Sequence, residues 1–443
     1  MTPLSDDTLR RKSWLDGFMA YPLPAGQSEA DTRANIVALD QALYALWKLG
    51  ENLVFGWMLQ PRGLLLLVAR HALVIEYVQA ASNGAEAARR AATLESLLAT
   101  DGPMTPAAFD RAATDLQLDP LLLPLPFEPE RGIGLEAMAA IVARYGIRLV
   151  EDRAVVLLDA VGFSLLTPLQ QVVQLGSLSC SVNSAYATLL GREININFAR
   201  TTTGDGFYIW NRARGVNANV ELYQLMQFIL ADNAMAHEQA RSPHSVPRLR
   251  TCFHVGSHYE FYQSEGLNPT AFSYLVGQVT IELARMIERA LPGQILVGRF
   301  STPMLDAGEG GSDGGKRTVV DSLDFVARTR EPLKRLDGVT LAGARVDSIQ
   351  CYLTGARSGD SEFGISEFEI EDKHHLRHRV YNAKVNIHRR PGAPVYLGLR
   401  DEDLGGFAAR RVQVGSAGVS GGGGTGGVVS GGSRSPIQVS SRV

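Results

Sequence analysis

The chain has 443 residues, of which 45% are hydrophobic and 20% charged, and its 43 Lys and Arg against 46 Asp and Glu leave a formal net charge of -3. This is globular composition with length for roughly two or three domains, and it gives no electrostatic reason to expect nucleic acid as a partner. The three cysteines, Cys180, Cys252 and Cys351, are too few and too scattered for a disulfide framework or a thiolate zinc site. They read as buried thiols of a reducing, cytoplasmic compartment.

The first residues lack a basic segment followed by an apolar core, so no signal peptide is expected. Residues 29–99 repeat apolar positions at helical spacing, as in Leu39, Leu43, Leu46 and Leu49, and predict a packed helical block. Within it, residues 53–80 are the most apolar, but Arg62, Arg70, His71 and Glu76 interrupt them. The uninterrupted part falls short of the roughly 20 residues that cross a bilayer, so a buried helix is expected and a stable membrane span is not. Pro103 and Pro106 punctuate the block, and Pro120, Pro124, Pro126 and Pro129 make an irregular connector. A helix over 135–145 follows, capped by Gly146.

Four aliphatic residues, 155–158, then predict a buried strand that ends on Asp159. A helix is expected over 169–190 and a strand over 194–198. Thr203-Gly204-Asp205-Gly206 reads as a tight turn that holds Asp205 at a hairpin tip, with a returning strand from Phe207. A helix over 220–239, a strand over 249–254, a helix over 277–290 and a strand over 294–297 complete the run. This βαββαβ order is that of a ferredoxin-like α+β core, with helices on one face of the sheet. Two carboxylates on adjacent strand rims suit a hard divalent cation, because Mg²⁺ is commonly held by one or two carboxylates and substrate phosphates. Further on, the glycine-rich residues 306–316 read as a loop, 339–399 as strands, and the Gly/Ser-rich stretch beyond Gln413 as disordered.

Four segments in this order resemble the catalytic domain of the class III nucleotidyl cyclases, the adenylate and guanylate cyclases. Leu158-Asp159-Ala160-Val161-Gly162-Phe163-Ser164 is similar to that family's first metal-binding strand and phosphate loop, and Thr203-Gly204-Asp205-Gly206 to its second metal-binding turn. Phe253-His254-Val255-Gly256 is similar to the strand after the long helix, and residues 277–297, with Arg285, to the last catalytic helix and strand. The resemblance divides the chain into a helical regulatory region (1–130), a connecting helix and linker (131–151), a cyclase-like catalytic domain (152–300), a β-rich extension (301–412) and a disordered tail (413–443).

The resemblance implies that Asp159, Asp205 and the Val161 carbonyl hold two Mg²⁺ or Mn²⁺ ions on the phosphates of a nucleoside triphosphate. Gly162, Phe163 and Ser164 would cradle phosphate at a helix start, and Arg285 would stabilise charge on the transferring group. It also implies a homodimer, since each site takes its metals from one domain and its arginine from the other. Three positions depart from the pattern. Ile281 stands where an asparagine orients the ribose, Tyr274 where an aspartate or threonine reads the purine, and Thr201 where a lysine contacts the base. The expected activity is cyclisation of a nucleoside triphosphate to a 3',5'-cyclic nucleotide, with purine or pyrimidine left open. The alternative is an inactive cyclase-like module that binds nucleotide or dimerises. His374, His375 and His378, near Asp372, and the pairs Arg389-Arg390 and Arg410-Arg411 read as solvated surface groups.

Overall fold

The computed structural model describes residues 15–242, 244–265, 268–306, 317–341, 343–355, 364–405, 407 and 410–413. The segments expected to be a glycine-rich loop and a disordered tail lie almost entirely outside them.

Helix α1 (Glu29–Trp47) starts at Ser28, whose hydroxyl accepts the Asp31 N–H at 3.1 Å, and it buries Ile36, Leu39, Leu43 and Trp47. The next segment departs from expectation. Residues 53–80 are not one helix but a hairpin, β1 (Asn52–Gln60) and β2 (Gly63–Arg70), followed by the short helix α2 (Leu73–Gln79). With β3 (Leu121–Pro124) the hairpin forms a three-stranded antiparallel sheet. Leu64 and Leu66 pack toward α1, whereas Leu53, Phe55 and Leu67 join the cluster built by α3 (Gly84–Leu98) and α4 (Pro106–Leu116). A sheet covered on both faces reads as a continuous apolar run, so the alternation that marks a half-buried strand is absent. Helix α5 (Leu135–Val142) closes this N-terminal part.

Among the described residues a sheet of 12 strands dominates the rest. Its centre is β4 (Ile147–Ala160), flanked by β6 (Gly206–Asn211) and β7 (Leu249–Glu265), with β5 (Phe198–Thr202) outside β6. These contacts are antiparallel and give the order β7-β4-β6-β5. Beyond β7, which pairs also with β8 (Asn268–Val276), lies β9 (Ile295–Gly298), parallel to it. A separate ribbon, β10 (Ser301–Leu305) with β11 (Arg317–Asp321), leads to β12 (Thr340–Leu341) and β13 (Ala344–Leu353). The sheet is then extended by β14 (Ser366–Glu371), β15 (Arg377–Arg390), β16 (Val395–Leu397) and β17 (Arg410–Gln413), with β15 on the free side of β9. The β-rich extension is thus continuous with the sheet that carries the candidate site.

Alternation along β4 sorts the two faces. Ala154, Val156 and Leu158 pack under α6 (Pro168–Leu190) and α7 (Val216–Gln239), while Val155 and Leu157 pack under α8 (Gln278–Arg289). The helices therefore cover both faces and not one. Three further expectations are corrected. The strand expected over 194–198 begins only at Phe198, because Ile194 and Ile196 are buried in the approach and the polar edge residues Arg200, Thr201 and Thr202 make the strand. Strand β7 runs past His254, since its second half pairs with β8 and with the start of β4. Cys252 and Cys351 are buried, but Cys180 is exposed. Among the described residues no helix is long and apolar enough to cross a membrane.

Candidate active site

Asp159 is the penultimate residue of β4 and is directly opposite Gly206 on one side and Arg250 on the other. It sits on the face of Val155 and Leu157, beyond the last apolar layer, and is 7% exposed. The pairing with β6 needs a glycine, because a Cβ at residue 206 would lie 1.8 Å from the Leu158 carbonyl oxygen. This close approach brings the Asp205 turn onto the end of β4, where the Ala160 N–H donates to the Asp205 carbonyl at 3.0 Å. The Thr203 hydroxyl donates to Asp205 Oδ1 at 3.1 Å and orients that carboxylate. The two aspartates expected to share a site are therefore brought together.

Arg250 completes this rim. Its Nε and Nη2 both donate to Asp159 Oδ2, at 2.8 and 2.5 Å. Burial pushes the Asp159 carboxyl above its ordinary value; Arg250 pulls it back through its hydrogen bonds and charge, and neighbouring Asp205 raises it again, for a net upward shift. A carboxylate left under-compensated beside a second one is a group that a cation would stabilise. Among the described residues there is no group of three or more His, Cys, Asp and Glu side chains that could hold a metal. Any ion here would rest on the two carboxylates, backbone oxygen and its substrate, which is how the hard cation Mg²⁺ is usually held.

After β4 the chain turns through Gly162, whose φ of +70° is the left-handed conformation that glycine adopts at little cost. Phe163–Leu165 is a single 3-10 turn, and α6 begins only at Pro168, with Thr167 and Gln170 forming a reciprocal capping box. Phe163 and Ser164 thus precede the helix and do not start it. The Val161 N–H donates to the Arg248 carbonyl at 2.8 Å, and the Gln171 side chain donates to the Phe163 carbonyl at 3.1 Å, which fixes the loop on both sides.

Arg285 is elsewhere. From the middle of α8 its Nε meets Asp372 Oδ2 at 3.0 Å, in the turn between β14 and β15. Burial raises the Asp372 carboxyl, but the Leu376 and His374 N–H groups, His378 and Arg285 outweigh it and hold it at about 2. His378 joins the same acid at 3.2 Å and reaches Glu282 of α8 at 2.6 Å through its other ring nitrogen. His378 is 8% exposed, so it is an inward-facing link between α8 and the extension and not a surface group. Of the arginine pairs expected to be solvated, Arg390 is exposed and pairs with Asp347 at 2.6 Å, whereas Arg389 is half-buried and donates from Nε to the Ala393 carbonyl at 2.8 Å; the side chains of Arg410 and Arg411 lie outside the described residues.

The three positions that depart from the cyclase pattern lie on three different elements. Thr201 is exposed on edge strand β5, beside Arg200, whose guanidinium lies 5.2 Å from the centre of the Phe207 ring. Ile281 is 45% exposed on α8. The Tyr274 backbone pairs with Phe261 in β8, and its side chain lies outside the described residues. Sequence reasoning missed Arg250, Asp372, Glu282 and the inward role of His378. One local signal was available, since Asp372 and His378 flank a short turn between alternating strands.

No protein family matches the sequence, and no curated protein is significantly similar to it. Solved structures of nucleotide cyclases do resemble it. The adenylyl cyclase CyaB from P. aeruginosa is 12% identical, covers 56% of this chain and 99% of its own, and has a TM-score of 0.31. The guanylate cyclase domain of RhGC from Catenaria anguillulae, in complex with GTP, is 13% identical, covers 55% of this chain and 99% of its own, and has a TM-score of 0.30. The guanylyl cyclase Cya2 is 11% identical over 54% of this chain and 92% of its own, with a TM-score of 0.28. The likeness is distant and cyclase-like, and the functional reading rests on the residues themselves.

Proposed function

We propose that the chain is a nucleotidyl cyclase, converting a nucleoside triphosphate to a 3',5'-cyclic nucleotide and pyrophosphate on a ferredoxin-like core. The observation that carries this reading is the placement of the Asp205 turn against the end of β4, where Asp159 is buried opposite Gly206 in the β4–β6 register and Ala160 N–H donates to the Asp205 carbonyl. The β7-β4-β6-β5 order supports the core assignment.

Asp159, Asp205 and the Val161 carbonyl are the residues that would hold Mg²⁺ or Mn²⁺, an all-oxygen donor set suited to hard cations. Bound divalent ions supply activation of the ribose 3'-hydroxyl and neutralisation of the leaving pyrophosphate. Arg250 holds Asp159 in place at the rim through Nε and Nη2, and its planar guanidinium is of the kind that would also suit a phosphate oxygen there. Thr203 keeps the Asp205 carboxylate aimed at the same rim. Arg285 acts in a second copy of the chain, where its planar fork stabilises charge on the transferring phosphoryl group. The homodimer with shared sites and the intracellular signalling role belong to this reading. Ile281 has no hydrogen-bonding group for a ribose, so the reaction is slower than with an asparagine there, by roughly 2–4 kcal/mol of barrier if nothing replaces it.

One observation favours a second reading, an inactive nucleotide-binding or dimerisation module: both key side chains are already engaged, Asp159 by Arg250 and Arg285 by Asp372. Incubation of the full chain with ATP, GTP, CTP and UTP under Mn²⁺ or Mg²⁺, with products read by mass spectrometry, separates the two. A cyclic product that disappears in Asp159→Asn supports the cyclase. Nucleotide binding by calorimetry with no turnover under either metal supports the module.

A further inference from the structure

We propose that Asp372 is a positioning residue for Arg285: the turn between β14 and β15 fixes this carboxylate, and the carboxylate fixes the guanidinium that serves the transferring phosphoryl group. This role, which rests on the cyclase reading, gives the β-rich extension a part in the reaction.

Among the described residues Asp372 is the only carboxylate within ion-pair distance of Arg285, and the contact runs from Nε to Oδ2 at 3.0 Å. Nε carries one of the five N–H groups of a guanidinium, so donors on the two Nη groups remain for a phosphate oxygen. The Arg285 side chain is 24% exposed and that of Asp372 only 1%. The arginine is thus anchored in a buried acid while part of it stays at the surface, where a second copy of the chain can meet it. Engagement of this kind orients Arg285 without sequestering it.

Asp372 is itself held on both oxygens. Its Oδ1 accepts the His374 and Leu376 N–H groups, at 2.8 and 2.9 Å. Its Oδ2, the oxygen that meets Arg285, also faces His378 Nε2 at 3.2 Å. The other ring nitrogen of His378 lies 2.6 Å from Glu282 Oε2, and Glu282 Oε1 accepts from Gln278 Nε2 at 2.6 Å. Glu282 and Arg285 are three residues apart on α8, so they lie on one face. Four side chains therefore close a ring, Arg285 to Asp372 to His378 to Glu282, with two members on the helix and two on the extension. An unfixed arginine would have to give up its rotamer freedom in the transition state, and a misplacement of about 1 Å can slow a reaction ~10²-fold. The ring settles the position of Arg285 before a nucleotide arrives.

The test is steady-state kinetics of the full chain with Mn²⁺ and the nucleotide it cyclises, for the unaltered protein, Asp372→Asn, Arg285→Ala and the double variant. Asparagine at 372 can still accept the two backbone N–H groups, but it has no charge for Arg285. Asp372→Asn is expected to lower kcat ~10-fold with KM within about twofold. It is expected to cause no further loss once Arg285 is alanine, because a residue that acts through Arg285 then has nothing left to position. An Asp372 that only held the fold would lower both backgrounds alike. If Asp372→Asn does not melt as a folded chain, Glu282→Gln, which loosens the far end of His378, should give the same pattern on a smaller scale. An unchanged kcat in the folded variant, or an equal fall with and without Arg285, would overturn the positioning role and leave the cyclase reading standing. No cyclic product from the unaltered chain with ATP, GTP, CTP or UTP would overturn the cyclase reading and this role with it.

Discussion

At the rim of β4, Arg250 grips Asp159 with two nitrogens, yet burial and Asp205 still leave that carboxyl above its ordinary value. At the turn after β14, Arg285 grips Asp372 through Nε, yet Asp372 sits at about 2 because two backbone N–H groups and His378 share the work. The difference lies in the backbone. Asp372 closes a turn whose amides point at it, as in an Asx-type turn, so it is committed to holding structure. Asp159 has one guanidinium partner and a second acid beside it, an arrangement that leaves charge for a cation to satisfy.

The largest expected effect breaks the comparison at its base. Gly206→Ala places a Cβ against the Leu158 carbonyl, which would cost ~3 kcal/mol or more and separate the two aspartates; chemical denaturation should show the loss, and a near-native midpoint would contradict the register argument. Next, Asp159→Asn and Asp205→Asn should each lower cyclic-nucleotide formation by ~10³-fold, about 4 kcal/mol of barrier, while circular dichroism stays native. Loss of folding in both would reassign these acids to structure.

Arg285→Ala should lower turnover by ~10²-fold with little change in the apparent Mn²⁺ requirement. Mixing it with Asp159→Asn should restore part of the activity, since one site of the mixed dimer would have both groups; no recovery would remove the shared-site geometry. The smallest effect is on stability against pH. Asp372 has a folded value below its unfolded 3.8, so its contribution is present above that value and is lost as pH falls toward about 2. Asp159 behaves oppositely in the metal-free chain: its raised folded value makes stability fall as pH rises through it. Denaturation midpoints of Asp372→Asn should therefore be flatter below pH 4 than those of the unaltered chain. Those of Asp159→Asn should lose the decline just above the ordinary carboxylate range.

Much of the rim was legible in the residues. Leu158-Asp159 reads as a strand ending on an acid because the aliphatic run stops there, and Gly204-Asp205-Gly206 reads as a turn because its glycines permit it. Arg250 was not legible, for it comes from a strand 91 residues further on and only the β4–β7 register brings it across from Asp159. Asp372 likewise meets Arg285 through the placement of β15 beside β9, which no local pattern encodes. The β1–β2 hairpin was hidden for a different reason: with both faces covered, its sequence loses the alternation that separates strand from buried helix.

The most direct measurement is a Mn²⁺ titration of the full chain followed by electron paramagnetic resonance, for the unaltered protein and for Asp159→Asn and Asp205→Asn. The account predicts loss of the free-ion signal with the unaltered chain and its return in both variants. Identical Mn²⁺ binding by all three proteins, or by none, would contradict a divalent-cation site at the Asp159–Asp205 rim.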